Sequence, residues 1–93
     1  MRTIKYTNRF KRDYRREKSG KHGKKLDALL ENILNLLVVD QPLPPNAVDH
    51  ALIGMLNDCR DCHLKPDLIL IYRKTDDNTL ELVRLGSHSE LGL

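Results

Sequence analysis

The run LILIY at residues 68–72 decides the fold of this chain. It holds five consecutive apolar or β-favouring residues, too few for a helix, and the basic pair Arg73-Lys74 ends it. A short apolar block of this kind is typical of a strand that is buried on both faces. We therefore expect a central strand here, and we expect the side chains just before it to be held firmly.

Titratable residues fill the segment that leads into this strand, Arg60-Asp61-Cys62-His63-Leu64-Lys65-Pro66-Asp67. If residues 58–64 are themselves a strand, the two-residue period sends Asp61 and His63 to one face. Arg60 and Cys62 then lie on the opposite face. A functional site beside the central strand is a reasonable hypothesis from this pattern alone.

The length and composition of the chain limit the class of protein it can be. The chain has 93 residues, of which 40% are hydrophobic and 31% are charged, as in a soluble globular domain. No run has the length of a membrane span, and the first six residues lack the apolar stretch of a secretory signal. We predict a single domain over residues 1–93, in the cytoplasm, with reduced thiols and no membrane partner.

Charge is unevenly distributed along the chain. Residues 1–25 carry 11 Lys or Arg against 2 Asp or Glu, whereas the remaining 68 residues have a net charge of −6. A basic end of this kind is a candidate phosphate-binding surface, although a charge run is often just the solvated face of a helix. The candidate RNA- and ribosome-binding residues are Arg9, Lys11, Arg12, Arg15, Arg16, Lys18, Lys21, Lys24 and Lys25.

The first half of the chain predicts one strand and two helices. Alternating apolar residues within 2–7 favour a half-buried strand. Thr7 or Asn8 can cap a helix that ends at Ser19-Gly20. From Lys24 the apolar residues recur with a helical period, which predicts a second helix packed against a sheet. Its apolar stripe is Leu26, Leu29, Leu30, Ile33, Leu34 and Leu37.

The second half predicts strands. Three prolines within residues 42–45 forbid both helix and ladder pairing, so a loop is expected there. Turn residues at 75–78 join residues 69–73 and 79–85 into a hairpin, and Gly86 releases the chain into a tail. The expected fold is α+β, with two N-terminal helices packed on an antiparallel-rich sheet of about four strands in the order β-α-α-β-β-β.

Histidines are the best candidates for chemistry. His50, His63 and His88 fall near the ends of the proposed strands, and Asp61 and Asp67 are close to His63 in the chain. Such groups can cleave RNA without a metal when a base deprotonates the ribose 2′-OH and an acid protonates the departing 5′-oxygen. Positive side chains then stabilise the phosphorane. The candidates for that supporting or phosphate-binding role are Arg60, Lys65 and Arg84. A lone histidine is more often structural, so the hypothesis rests on the grouping.

Cys59 and Cys62, followed by His63, also spell the C-x-x-C-H pattern of covalent haem attachment. No export signal accompanies the pattern, and it leads into a strand. A strand points these two cysteines to opposite faces, which disfavours a disulfide and a shared zinc. We predict no cofactor and no metal.

The chain resembles the RelE/ParE superfamily of toxins from bacterial toxin–antitoxin systems, most closely its YafQ-like branch of mRNA interferases. Three motifs carry the resemblance in the order that the family has them. They are Asp49-His50-Ala51-Leu52, the segment 60–67 with the strand after it, and Arg84-Leu85-Gly86-Ser87-His88-Ser89-Glu90-Leu91.

The resemblance implies a RelE-like fold and a type II toxin that acts as a ribosome-dependent endoribonuclease. Such an enzyme cleaves messenger RNA in the aminoacyl site of the ribosome and so arrests translation and growth. It also implies a cognate antitoxin that holds the toxin inactive and provides its only connection to operator DNA.

By the same resemblance the catalytic set is His50, His63, Asp67 and His88. The proton donor would be His88, and the general base would be Asp67 or His50. Asp61 and Arg84 are similar to family positions that support the site or bind phosphate. The basic segment would then meet ribosomal RNA, in agreement with its charge.

Two other functions remain open from the residues alone. A ParE-like toxin of the same fold would act on a protein target such as gyrase and would need no acid–base histidines. A non-enzymatic RNA-binding module would need only the basic N-terminal segment. Cleavage of a message on the ribosome separates the first hypothesis from both.

Overall fold

The structure is a computed structural model that describes all 93 residues. Five strands form one sheet, and three α-helices accompany it. The elements in chain order are β1 (Thr3–Tyr6), α1 (Asn8–Lys18), α2 (Gly23–Leu37), β2 (His50–Ala51), β3 (Arg60–Lys65), β4 (Leu68–Asp76), β5 (Thr79–Gly86) and α3 (His88–Leu91). Short 3-10 turns at Pro45–Ala47 and Gly54–Leu56 flank β2.

The strand order across the sheet is β1-β5-β4-β3-β2. β1 runs parallel to β5, and every other pair is antiparallel. The run at 68–72 lies in β4, the middle strand, and all five of its residues are buried. The predicted central strand and the α+β class are therefore confirmed.

Alternate residues of β4 face two different layers. Leu68, Leu70 and Tyr72 pack in the main core with Cys62, Phe10 and the apolar stripe of α2. Ile69 and Ile71 are also buried but do not join that cluster. Full burial of each such side chain contributes about 1.5–3 kcal/mol, so this run is a major source of the stability of the fold.

The starts of the two N-terminal helices are determined by single residues, a capping threonine for α1 and a glycine for α2. The Thr7 hydroxyl caps α1 by accepting from the Phe10 N–H at 3.0 Å, as predicted. α2 begins one residue earlier than Lys24, at Gly23. A Cβ at Gly23 would lie 2.1 Å from the Lys18 carbonyl oxygen, so only glycine allows the end of α1 to approach the start of α2 this closely.

Side chains of α1 and of its N-cap residue complete the edge of β5 beyond the end of β1. The Thr7 hydroxyl donates to the Val83 carbonyl at 2.8 Å. The Leu85 N–H donates to the Asp13 carboxylate at 3.0 Å, and the Arg16 guanidinium donates to the Leu85 carbonyl at 2.8 Å. Backbone groups that would otherwise lack partners are thereby satisfied, and α1 is joined to β5 just before α3.

Two details differ from the sequence prediction. The sheet has five strands, because His50–Ala51 adds a short strand opposite Asp61 and Arg60, and β1 makes the sheet mixed. A two-residue strand is too short to show periodicity. The predicted tail contains α3, which is capped by Ser87 and Glu90. The S-x-x-E signature of that capping box was readable in the sequence. No helix has both the length and the apolar character needed to cross a membrane.

Candidate active site

Three imidazoles and two carboxylates converge beside β3. His50 in β2 is the direct cross-strand partner of Asp61 in β3, and His63 follows two residues later on the same face. The rings of His63 and His88 meet edge to face, with centroids 5.4 Å apart. Asp67 contacts His88 from the turn between β3 and β4. Residues scattered over 39 positions of the sequence thus form one group.

Asp67 holds His88 by two hydrogen bonds. One oxygen of its carboxylate accepts from the His88 backbone N–H at 3.0 Å and lies 2.7 Å from Nδ1 of the same residue. These bonds, first from the backbone and then from the ring, hold the pKa of Asp67 below its usual value. With Nδ1 engaged by a carboxylate, Nε2 of His88 is left for a substrate.

His50 is held differently. Its Nδ1 lies 2.9 Å from the Val48 carbonyl oxygen, which it can hydrogen-bond, and 2.9 Å from Asp61 Oδ1. The second contact is close but lacks hydrogen-bond geometry, so Asp61 Oδ1 is buried without a partner. Burial raises the pKa of Asp61, and the imidazoles of His50, His63 and His88 oppose that shift when they carry a proton.

Val48 has a backbone conformation that explains this contact. Its φ and ψ are 49° and 48°, in the left-handed region that β-branched residues rarely adopt. This conformation turns the Val48 carbonyl onto the ring of His50 two residues later. Strained backbone of this kind is often retained at functional sites. The prediction from sequence did not identify Val48, since no pattern marks a left-handed valine.

A cleft borders His63. Its volume is about 550 Å³, and its walls include Val48, His63 and Lys65. His50 and His88 are about half exposed at the side chain. Both of these imidazoles can therefore be reached from solvent, and the predicted supporting residue Lys65 lies in the wall of the cleft beside His63.

The two predicted arginines each contact a carboxylate of this chain. Arg60 lies on the opposite face of β3, as the two-residue period predicted, and its guanidinium contacts Asp49 at 3.2 Å. Arg84 donates to both oxygens of Asp13, at 2.7 and 3.2 Å. Both guanidinium groups are occupied by carboxylates of this chain.

Asp13 is a residue that the sequence analysis missed. It is only 4% exposed, and it accepts from Arg84, Arg16 and the Leu85 N–H. Burial raises its pKa, but these hydrogen bonds outweigh burial and leave the pKa below its usual value. A signal was present, because Asp13 lies three residues after Phe10, on the apolar side of α1.

All nine predicted basic residues are exposed, but two of them are engaged in ion pairs. Lys18 contacts Asp27 at 2.8 Å, and Arg16 contacts several acidic groups. No ion pair involves the remaining seven, which are Arg9, Lys11, Arg12, Arg15, Lys21, Lys24 and Lys25. Lys21 is close enough to Asp67 for its charge to help lower the pKa of that carboxyl. The basic surface therefore continues to the edge of the histidine group.

Cys59 and Cys62 are both buried and unpaired. Burial raises their pKa values to about 11 and about 12. Thiols of this kind stay protonated near neutral pH and make poor nucleophiles. Their surroundings mark them as packing residues.

Comparisons with known proteins agree with one another. A family model described as "Bacterial toxin of type II toxin-antitoxin system, YafQ" matches residues 2–92. The mRNA interferase toxin YafQ of Escherichia coli K12 is 36% identical over 92 residues, which cover 98% of this chain and 96% of that protein.

Solved structures are similar over nearly the whole chain. The Escherichia coli DinJ-YafQ complex contains a chain with a TM-score of 0.79 and 32% identity, with 98% of both chains covered. A metal-bound toxin from Helicobacter pylori has a TM-score of 0.81 and 45% identity over 98% of this chain and 99% of that chain. In the present chain no three His, Cys, Asp or Glu side chains are arranged to hold one metal ion.

Proposed function

The chain belongs to the YafQ family of bacterial toxins from type II toxin–antitoxin systems, and on that premise we propose that it is a ribosome-dependent endoribonuclease. It cleaves messenger RNA in the aminoacyl site of the ribosome and so stops translation and growth. The proposal rests mainly on two contacts between a half-exposed histidine and a carboxylate, His50 with Asp61 and His88 with Asp67. The pKa of Asp61 is raised, whereas the pKa of Asp67 is lowered. Pairs of titratable groups in contrasting environments are typical of acid–base catalysis.

His88 is the general acid in this proposal. Its imidazolium donates the Nε2 proton to the 5′-oxygen as the P–O bond to that oxygen breaks. The Asp67 carboxylate, 2.7 Å from Nδ1, orients the ring and stabilises its positive charge. Because the pKa of Asp67 is lowered, this carboxylate keeps its negative charge over the whole neutral range.

His50 is the general base. It takes the proton of the ribose 2′-OH while the 2′-oxygen attacks the phosphorus. The Val48 carbonyl accepts the Nδ1 proton of its neutral ring, so the lone pair remains on Nε2. Asp67 is the weaker candidate, since one of its oxygens already accepts two hydrogen bonds from His88 and its pKa is lowered.

His63 and Lys65 stabilise the phosphate between the acid and the base. His63 contacts the ring of His88, and both His63 and Lys65 line the cleft. Positive groups aimed at the developing phosphorane act most strongly when they are already in position. The seven basic residues without ion pairs bind ribosomal RNA, and their contribution is expected to fall with salt.

A cognate antitoxin is the other partner we propose, since a YafQ relative is found in complex with DinJ. Its binding segment is expected to be acidic where it crosses the basic helices. It is expected to be apolar where it covers the groove of about 720 Å³ between the helices and β1, whose lining includes Tyr6, Phe10 and Leu34. None of the histidines lines that groove.

The decisive experiment uses ribosomes programmed with a defined message and maps the 5′ ends of the products. We expect cleavage within the codon of the aminoacyl site and no cleavage of the same message without ribosomes. Intact message accompanied by DNA damage in cells would support a gyrase-directed toxin instead. Binding to ribosomes without any product would support an RNA-binding module.

A further inference from the structure

Arg16 does not behave like the other basic residues of α1. Its guanidinium donates to Asp13 at 2.9 Å and to the Leu85 carbonyl at 2.8 Å, and it lies 2.9 Å from Glu90. Three elements, α1, β5 and α3, therefore meet at one side chain. The next residue in the chain toward the N-terminus, Arg15, makes only a long contact with the Lys11 carbonyl.

Glu90 connects Arg16 to the start of α3. One of its oxygens accepts from the Ser87 N–H at 2.9 Å, while the Ser87 hydroxyl accepts from the Glu90 N–H at 3.2 Å. His88 is the first residue of this helix. Because α3 has only four residues, it cannot be stable by itself and depends on tertiary contacts. The contact between Glu90 and Arg16 is one of these tertiary contacts, and it connects α3 to α1.

Gly86 provides the space for this arrangement. A Cβ at that position would lie 2.7 Å from Arg16 Nη2 and 3.1 Å from Glu90 Oε1. The guanidinium and the carboxylate thus occupy the volume that a side chain would fill. Both are ends of flexible side chains, so Gly86→Ala would displace them at small cost to the fold.

We propose that Arg16 is a positioning residue for the proton donor and not a ribosome-binding charge. Anchored on the buried Asp13 and on the edge of β5, it holds Glu90 and with it the capped turn that presents His88 to Asp67. The inference rests on the proposed function, because it assigns Arg16 a role in the same acid–base site.

The first test compares Arg16→Gln with Arg15→Gln in ribosome-dependent cleavage of a defined message. Both variants remove one positive charge from the same helix, so a purely electrostatic role predicts equal effects. We expect Arg16→Gln to lower kcat by about ten- to a hundredfold with little change in KM, since small displacements of a catalytic group have costs of this order. Arg15→Gln should change only KM. Equal effects of the two variants would overturn the proposal.

The second test keeps every charge in place. Gly86→Ala should lower kcat in the same way as Arg16→Gln while the melting temperature stays close to that of the unsubstituted protein. Arg16→Gln could lower activity by removing a partner of the buried Asp13 and so weakening the fold. Gly86→Ala keeps both Arg16 and Asp13, and it therefore tests the position of the Arg16 side chain without removing that side chain. Full activity of Gly86→Ala, with Arg16 shown by NMR to be displaced, would also overturn the proposal.

The third test separates this inference from the proposed function. In a His88→Ala background, Arg16→Gln should cause no further loss, because the two residues act through one group. In the free protein, Arg16→Gln should weaken the proton–proton contacts between the His63 and His88 rings and speed hydrogen exchange at Leu91, whereas Arg15→Gln should not. An inactive unsubstituted protein would refute the nuclease, whereas an active one with unchanged ring contacts would refute only the positioning role.

Discussion

Two histidine–carboxylate pairs stand side by side in this molecule, yet their carboxylates experience opposite environments. Asp67 is exposed, accepts two hydrogen bonds from His88 and has a lowered pKa. Asp61 is buried, has one oxygen without a hydrogen-bond partner and has a raised pKa. Both carboxylates lie within 3 Å of an imidazole Nδ1.

This difference shows that a histidine paired with an aspartate can suit either the acid or the base, depending on the surroundings of the carboxylate. A carboxylate that holds its charge easily stabilises an imidazolium, which suits the acid. Asp61 is less readily ionised, so it stabilises a proton on His50 less strongly. A weakly stabilised proton leaves the His50 ring neutral, as a general base must be. The backbone also favours His50 as the base, since the Val48 carbonyl accepts the hydrogen bond from Nδ1 and leaves Nε2 as the basic nitrogen.

Removing the acid should have the largest effect. His88→Ala is expected to reduce cleavage by about 10²- to 10⁴-fold, the usual contribution of a general acid, and to abolish growth arrest. The fold should stay intact because the side chain is half exposed. His22→Ala is the matched control, since His22 is the N-cap residue of α2 and makes no side-chain cap bond. Equal toxicity of the two variants would remove His88 from the mechanism.

Weakening the partner of the acid should have a smaller effect. Asp67→Asn keeps a hydrogen-bond acceptor for the His88 backbone but loses the charge that stabilises the imidazolium. We expect kcat for ribosome-dependent cleavage to fall by about tenfold to a hundredfold. Asp77→Asn, in the hairpin turn, is a control for the loss of one surface carboxylate. A change confined to KM would argue that Asp67 affects RNA binding only.

Substitution of Asp61 should change the stability of the protein. The pKa of Asp61 is raised and that of Asp67 is lowered, so the two carboxyl groups affect the pH dependence of stability in opposite directions. Its folded pKa is raised above the unfolded value, so the folded state binds more protons and stability falls as pH rises between those two values. Asp61→Asn removes that cost and should raise the free energy of unfolding at pH 7.5 by about 1 kcal/mol. Urea denaturation at pH 7.5 and pH 4 measures the difference. A loss of stability at pH 7.5 would mean that the contact with His50 outweighs burial.

Relief of backbone strain beside His50 should have the smallest effect. A left-handed conformation costs an ordinary L-residue roughly 1–2 kcal/mol, and asparagine tolerates it better. Val48 is 51% exposed, so Val48→Asn should stabilise the protein by about 0.5–1 kcal/mol with cleavage unchanged. Val39, which is 49% exposed and lacks a positive φ, gives the control Val39→Asn, which should bring no gain. Lost cleavage in Val48→Asn would show that the valine side chain itself contacts RNA.

Much of the fold was accessible from local pattern. The apolar run at 68–72, the capped start of α1 and the stripe of α2 each depend on neighbours within a few residues. All three predictions were confirmed, as was the relation to the YafQ family. The strand at His50–Ala51 was missed because two residues carry no period. The helix at His88–Leu91 was missed although its capping box was readable.

The candidate site was predictable as a set of residues and not as a set of contacts. His50, His63, Asp67 and His88 were identified by motif and lie together, but their catalytic roles remain predictions. The arginines show the limit most clearly. No pattern in the sequence indicated that Arg84 and Arg16, which were predicted to bind phosphate and ribosomal RNA, both donate to the buried Asp13.

The sequence by itself determined the α+β class, the central strand, the basic N-terminal helices and the family, since each follows from composition, short-range periodicity or a run of motif residues. Only the tertiary structure decided which imidazole meets which carboxylate and which basic groups remain free. The physical reason is distance along the chain. His88 and Asp67 are 21 residues apart and Arg84 and Asp13 are 71 apart, and no local pattern specifies a contact that forms only when the sheet brings such residues together.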